Sequence, residues 1–281
     1  MTNQAKHDSP IKIIGIYGLL GVSSVVTLFP LLWLLSTALK SQAENIFQSP
    51  PQLLPASPTF ENFVEVWNTI PLAQYLLNST LIAVLTVALN LIFCSLAAYP
   101  LARLSFPGRN WIFTAIVSTI MIPFQIVMIP LYILIVQLGF LRNNYFGVIF
   151  PSLASAFGIF LLRQAFMGVP KELEEAARMD GCSELGLWWN VMLPAIRPAL
   201  ATLAIFVFIG SWSDFLWPLI VIQDENLYTL PLGVAKLAGT FGGNWRLIAA
   251  GSVISIIPVL LLFIFLQRYI ISTDTGSAVK G

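Results

Sequence analysis

The stretch Leu76-Leu-Asn-Ser-Thr-Leu-Ile-Ala-Val-Leu-Thr-Val-Ala-Leu-Asn-Leu-Ile-Phe-Cys-Ser-Leu-Ala-Ala-Tyr99 contains no charged residue. A bilayer core about 30 Å thick needs roughly 20 consecutive apolar residues in helical form. Strands of a membrane barrel are about ten residues long and alternate apolar with polar. This run does neither, so it reads as a membrane-spanning helix. The whole chain has the same character: of its 281 residues, 57% are apolar and only 10% are charged. A soluble domain carries about 25% charge, and so little charge cannot cover a water-facing surface. That excludes a cytosolic globular enzyme, and the apolar excess excludes a disordered chain. A net charge of +1 gives no global attraction for nucleic acid.

Five further apolar runs lie on either side of this one, at about residues 13–39, 111–138, 145–162, 200–222 and 247–266. With 76–99 they predict an all-α membrane protein of six transmembrane helices, forming one transmembrane domain over residues 1–281. Pro123 and Pro130 lie in the third run, Pro151 near the start of the fourth and Pro258 in the sixth. Prolines in such spans are expected to kink the helix and release carbonyls. The first run has a basic start at Lys6 and Lys12, like a signal peptide. Signal cores are about 7–15 residues long, so this longer run reads as a retained helix. Six spans place both termini on one side. With the termini inside, the inner segments hold Lys6, Lys12, Arg103, Arg109, Arg163, Lys171, Arg178, Arg197, Arg268 and Lys280. The outer segments hold Lys40, Arg142, Lys236 and Arg246. The positive-inside tendency therefore predicts cytoplasmic termini.

The chemistry-bearing residues are few. His7 is the only histidine, and Cys94 and Cys182 are far apart in sequence. These residues predict no metal site, no catalytic triad and no disulfide. No G-x-x-x-x-G-K-[ST] stretch occurs, so P-loop ATP hydrolysis is not expected of this chain.

The long inner segment at about 168–198 includes Gly168-Val-Pro-Lys-Glu-Leu-Glu-Glu-Ala-Ala-Arg-Met-Asp-Gly181-Cys-Ser-Glu-Leu-Gly-Leu-Trp-Trp-Asn-Val-Met-Leu-Pro194. Local physics makes it a hairpin of two short helices. Pro170 suits a first helical position. Leu173, Ala176 and Ala177 share one face, and Glu174 and Arg178 are an i,i+4 pair. Gly181 suits a left-handed stop, and Ser183 can cap the second helix. Leu185, Trp188, Trp189 and Met192 give that helix an apolar side. Residues 170–186 hold five acidic side chains against two basic ones. Such an acidic, apolar-faced elbow suits a protein partner with a basic-rimmed groove. A plain connecting hairpin remains the alternative.

Here the sequence resembles a family. Glu175-Ala176-Ala177, three residues, Gly181, nine residues and Val191-Met192-Leu193-Pro194 is similar to the EAA motif of ABC importer permeases, with Val191 where isoleucine is usual. The run from Phe208 to Pro218, then Thr229-Leu230-Pro231, and the C-terminal Gly276-Ser-Ala-Val-Lys280-Gly281 are similar to maltose-type (MalG-like) carbohydrate permeases. The resemblance implies the type I importer permease fold, with the hairpin between spans four and five as a coupling helix. It implies that Glu175, Ala176, Ala177, Asp180, Gly181, Leu193 and Pro194 couple to a separate ATPase dimer, which binds the ATP and Mg. Gly276, Lys280 and Gly281 would touch the same dimer. The other implied partners are a second permease, an extracytoplasmic solute-binding protein and a sugar. Gly239, Thr240, Phe241, Gly242, Gly243 and Asn244 form a glycine-rich outer tip that could enter the binding protein's cleft or be an ordinary loop. Ser213 stands where the family commonly has asparagine, which weakens a sugar-binding role there.

Pathway candidates come from the fifth run and from Asn90. Asp214 is costly at membrane depth, about 2.5–3.5 kcal/mol on insertion scales. Two readings are open to it: a gate or pathway residue, or an aspartate held by Ser211 and Ser213 to fix packing. Trp212 and Trp217 are candidates for stacking on a sugar face or for packing. Asn78, Asn90, Gln125 and Gln164 are candidates for interhelical hydrogen bonds or substrate contact. The cargo classes left open are a sugar or oligosaccharide, a polyol, a glycosylated osmolyte and sn-glycerol-3-phosphate. A stand-alone secondary transporter is the rival class.

Overall fold

The computed structural model describes residues 10–240 and 243–271. All regular structure among them is helical. By contact the chain divides into two compact units. The first comprises the described residues up to Ile70 together with Lys236–Ile254, and the second Pro71–Ala235 and the described residues from Ser255 on.

In the first unit, α1 (Pro10–Leu39) is apolar on all sides. Its membrane-length portion, Ile14–Leu39, buries none of its most apolar window against the rest of the chain. At its end the chain turns into a loop held by specific bonds. Thr59 donates its N–H to the Leu39 carbonyl at 2.9 Å. Asn62, buried on α2 (Glu61–Thr69), donates to the carbonyls of Ala38 and Lys40 at 2.8 and 2.9 Å. Lys40 lies over the Trp33 ring and donates to the Gln52 carbonyl at 2.6 Å. Its ammonium is buried but has an acceptor, as burial of a charge requires.

The second unit is built on α3 (Leu72–Arg103), longer at both ends than the expected 76–99. The expected span 111–138 is instead two helices. They are α4 (Arg109–Ser118), extended to Met121 by a 3₁₀ turn, and α5 (Phe124–Leu138), meeting at 102°. The cause is Pro123, which has no N–H and forces the residue before it out of helical geometry. Ile122 is accordingly extended, with ψ of 113°. Pro130 and Pro258, by contrast, sit inside continuous helices.

The span expected at 145–162 is α6 (Tyr145–Ile149) with a turn to Ser152, then α7 (Ala156–Met167), bent by 49°. Ser155 restarts the helix by accepting the Gly158 N–H at 3.1 Å, an N-cap bond. The span expected at 200–222 ends early. It is α11 (Arg197–Trp212), followed after a break by α12 (Leu216–Val221). The sixth, expected at 247–266, is α14 (Trp245–Ile271). Among the described residues, three helices are thus long and apolar enough to cross a bilayer unbroken, and up to six crossings result if each bent pair acts as one.

The main core of the second unit lies where α3, α7 and α11 meet. Cys94, Ala98, Leu162, Phe166 and Leu203 are buried there together. Gly158 permits the close approach: a Cβ added to it would lie 2.8 Å from the Cys94 Sγ and 3.2 Å from a Leu203 methyl. Small residues of this kind let membrane helices pack tightly.

Candidate functional site: the hairpin after α7

The hairpin forms as local physics requires, with one difference. α8 (Lys171–Met179) starts one residue later than expected, because Pro170, with ψ of 138°, is its N-cap and not its first helical residue. The helix ends in a Schellman motif. Cys182 donates to the Ala177 carbonyl and Gly181 to the Arg178 carbonyl, both at 3.0 Å. Gly181 carries the required positive φ, +80°. Ser183 then accepts the Gly186 N–H at 3.2 Å and caps α9 (Glu184–Leu187). The return leg continues through a π-helical turn (Trp188–Met192) into α10 (Leu193–Ala195).

The apolar side of the return leg divides in two. Leu187, Trp188 and Met192 are buried against Phe166 and Leu203, whereas Leu185 and Trp189 are 68% and 60% exposed. On α8, Leu173 and Met179 are 48% and 85% exposed, and Ala176 is exposed as well. Ala177 is half-buried on the core. The hairpin therefore presents an uncovered apolar strip beside exposed Glu172, Glu175 and Asp180. Leu193 is half-buried and Pro194 exposed.

Glu174, one residue before the EAA triplet, is buried. Its Oε1 lies 2.6 Å from the Arg103 Nε at the end of α3, and each side chain is 7% exposed. Arg103 also donates to the Val169 carbonyl at the hairpin's entry. The i,i+4 partner Arg178 is only at 3.9 Å from Glu174, because it lies 2.9 Å from Glu184 across the turn. Partial burial works against the Arg178 charge, but the Glu184 carboxylate outweighs it and holds the guanidinium pKa above its ordinary value. Glu184 in turn accepts the Tyr99 hydroxyl at 2.8 Å. Tyr99 and Arg103 are one turn apart on α3, on the same face. The sequence alone marks Arg103 only as an inner cation and Glu174 only as an i,i+4 partner, and gives no role to Tyr99 or Glu184. The available signals were the Tyr99–Arg103 spacing at the end of a span and the surplus of hairpin acids.

The pathway candidates do not form one cluster. Trp212 is buried, donates its Nε1–H to the Ser255 carbonyl at 3.0 Å and stacks on Phe208. Trp217 is buried, donates to the Gly147 carbonyl at 3.1 Å and meets Phe124 edge-on. Both rings are packed, and neither offers an open face within this chain. Ser213 is exposed and follows the last turn of α11. Asp214 sits in the break, and its Oδ1 accepts the Trp217 N–H at 3.3 Å, which caps α12. Asn90 serves a different junction. It donates to the Ser152 carbonyl at 2.8 Å and accepts from Cys94 at 3.3 Å, stitching α3 to the α6–α7 break. Asn78 donates to the carbonyls of Asn226 and Tyr228 and accepts from Tyr145.

In the outer tip, Gly239 and Thr240 end α13 (Leu230–Thr240), and Gly243 has φ of +81°. Asn244 accepts the Arg246 N–H at the start of α14. Phe241, Gly242, Gly276, Lys280 and Gly281 lie outside the described residues. Among the described residues, no group of three or more His, Cys, Asp or Glu is placed to hold a metal.

Comparison with known proteins agrees with this architecture. Residues 90–272 match the model of the family described as "Binding-protein-dependent transport system inner membrane component". The arabinooligosaccharides transport system permease protein AraQ of Halalkalibacterium halodurans is 39% identical over 258 residues, covering 91% of this chain and 92% of the relative. AraQ of Bacillus subtilis is 36% identical, covering 92% of each. One chain in a crystal structure of a bacterial ABC transporter that imports the acidic polysaccharide alginate superposes with a TM-score of 0.80. It is 29% identical and spans 92% of this chain and 96% of its own length. The match over most of the helical unit, together with relatives of nearly equal length, makes this chain a member of the binding-protein-dependent transport system inner membrane component family.

Proposed function

We propose that this chain is one permease half of an ATP-driven importer that carries a sugar or oligosaccharide into the cytoplasm. In this reading each bent helix pair acts as one crossing, giving six spans with both termini inside. The hairpin of α8 and α9 is the coupling helix on the ATPase, a second permease completes the path, and an outer binding protein delivers cargo.

One observation carries the coupling role. The strip Leu173, Ala176, Met179, Leu185 and Trp189 is exposed beside Glu172, Glu175 and Asp180 and is covered by nothing among the described residues. Exposed apolar patches rimmed by polar residues mark interaction sites. The exposure of Glu175, which makes no hydrogen bond or ion pair within the described residues, suits a side chain kept for a partner.

The sugar class is supported by the arabino-oligosaccharide and alginate systems of the relatives. Neither is a maltose system, so the maltose-type assignment is narrower than these likenesses support. A sugar is favoured over sn-glycerol-3-phosphate because no Lys or Arg occurs between Ala199 and Ile222, and a phosphate ester calls for converging cations. Purification of the tagged chain from its own membranes tests the coupling role. Recovery of an ATPase, lost on Leu185→Glu with Trp189→Glu, is expected; proton-driven uptake by the chain alone defeats the reading. A binding screen of the cognate binding protein against oligosaccharides, polyols and sn-glycerol-3-phosphate decides the cargo.

A further inference from the structure

The hairpin is attached to the rest of the permease in two ways. Covalently, its entry follows α7 through Gly168, Val169 and Pro170, and its return leg runs into α11 through Ile196, where φ of −104° and ψ of 20° break the helix and the axis bends by 81°. A bent joint transmits push and pull poorly. Non-covalently, Leu187, Trp188 and Met192 pack with Phe166 of α7 and Leu203 of α11, and polar links bind both legs to α3. Arg103 holds α8 through Glu174, Tyr99 holds α9 through Glu184, and Arg178 joins the two acids across the turn. The links close a ring: α3, Arg103, Glu174, Arg178, Glu184, Tyr99 and back to α3. The Arg103–Glu174 contact is buried, so water screens it little, and removal of one partner leaves a buried charge uncompensated.

Resting on the coupling role proposed above, we infer that Arg103, Glu174, Glu184 and Tyr99 are positioning residues. They form a strut that delivers the ATPase-driven movement of the hairpin directly to α3. The strut makes the hairpin and α3 one rigid body. α3 is the helix on which α7 and α11 pack through Cys94, Ala98, Leu162 and Leu203, so a displacement of its inner end reaches the center of the unit. Discrete shifts of packed helices are how such movements travel. Glu175 and the apolar strip grip the partner, while Glu174, facing the other way, grips the permease.

The test uses the complete complex in lipid, with spin labels at Lys171→Cys and Leu96→Cys in a background without Cys94 and Cys182. The distance between labels is read without nucleotide and with ATP plus vanadate. In the otherwise native chain the distance is expected to stay fixed. In Glu174→Gln it is expected to match the native value without nucleotide and to shift by about 2 Å or more on trapping, the scale of a helix shift at an interface. Arg103→Glu combined with Glu174→Arg is expected to restore the fixed distance, which a merely structural loss would not do. A native distance that shifts on trapping, or a Glu174→Gln distance that does not, overturns the strut while the coupling role stands. Failure of the native chain to recover any ATPase overturns the coupling role, and the strut with it.

Discussion

The Nε1–H of Trp217 on α12 donates to the carbonyl of Gly147 on α6 at 3.1 Å, and the two residues are 70 apart in the chain. The bond lies in a buried cluster with Ile82, Ile135, Val148 and Val221. Trp217→Phe keeps most of the apolar volume but orphans the carbonyl, a loss of about 1–3 kcal/mol. Trp217→Ala adds a cavity and is expected to cost about 3–5 kcal/mol. Thermal unfolding of the purified complex should rank native above Phe above Ala. Equal midpoints for all three would show that the indole does not hold the break after α11.

Gly158 is the contact point of α7 with α3 and α11. Its hydrogen occupies the space between Cys94 Sγ and Leu203. Gly158→Ala is expected to force these helices apart, at about 1–3 kcal/mol for overpacking. Cys94→Ala should recover part of the loss, because it removes the sulfur the new methyl meets. Stability measured on the two single variants and the double variant checks this coupling.

Gly181 holds the hairpin turn at φ of +80° with nothing within 4 Å of the position a Cβ would take. The strain in Gly181→Asp is therefore one of backbone alone, about 1–2 kcal/mol for the left-handed region, though aspartate tolerates it better than most residues. An added charge also enters the acidic tip. Membrane insertion should persist while ATP hydrolysis continues with little uptake of the binding protein's cargo. Normal uptake per ATP in this variant would remove the turn from the coupling path.

Glu44 lies outside the membrane-length helices. It accepts the N–H groups of Ala56 and Ser57 at 3.0 and 3.1 Å, and these bonds hold its carboxyl below the usual carboxylate pKa. A lowered folded value means that its stabilisation is fully present above the unfolded value, about 4.3. It is lost as pH falls through the folded value. Limited proteolysis between Ser41 and Thr59 should accelerate in that acid range. Glu44→Gln should cut at a faster rate already at neutral pH and respond less to acid.

Helix content and the approximate position of every apolar run were legible in the sequence, because lipid leaves uncharged runs of that length little choice but a helix. The breaks were not. Pro123 and Pro130 are both prolines in one apolar run, yet the first turns the chain by 102° and the second is absorbed within α5. Only tertiary neighbours decide whether a helix re-forms in line. The hairpin's stop at Gly181 was readable because its cause is local. Glu174 was not, since its partner Arg103 is 71 residues away in sequence and periodicity carries no information on such pairs. The same holds for Trp212 and Trp217, whose indole N–H groups are taken by distant carbonyls.

The first helix, α1, carries Ile14, Tyr17 and Leu19 on open flanks, each more than two-thirds bare. Among the described residues nothing covers these flanks, so acyl chains or a sister subunit would wrap them in the membrane. A copy made in excess of its companions would thus have a raw edge in the bilayer. Cellular quality control, reading that edge, would couple the lifetime of this subunit to the supply of the others.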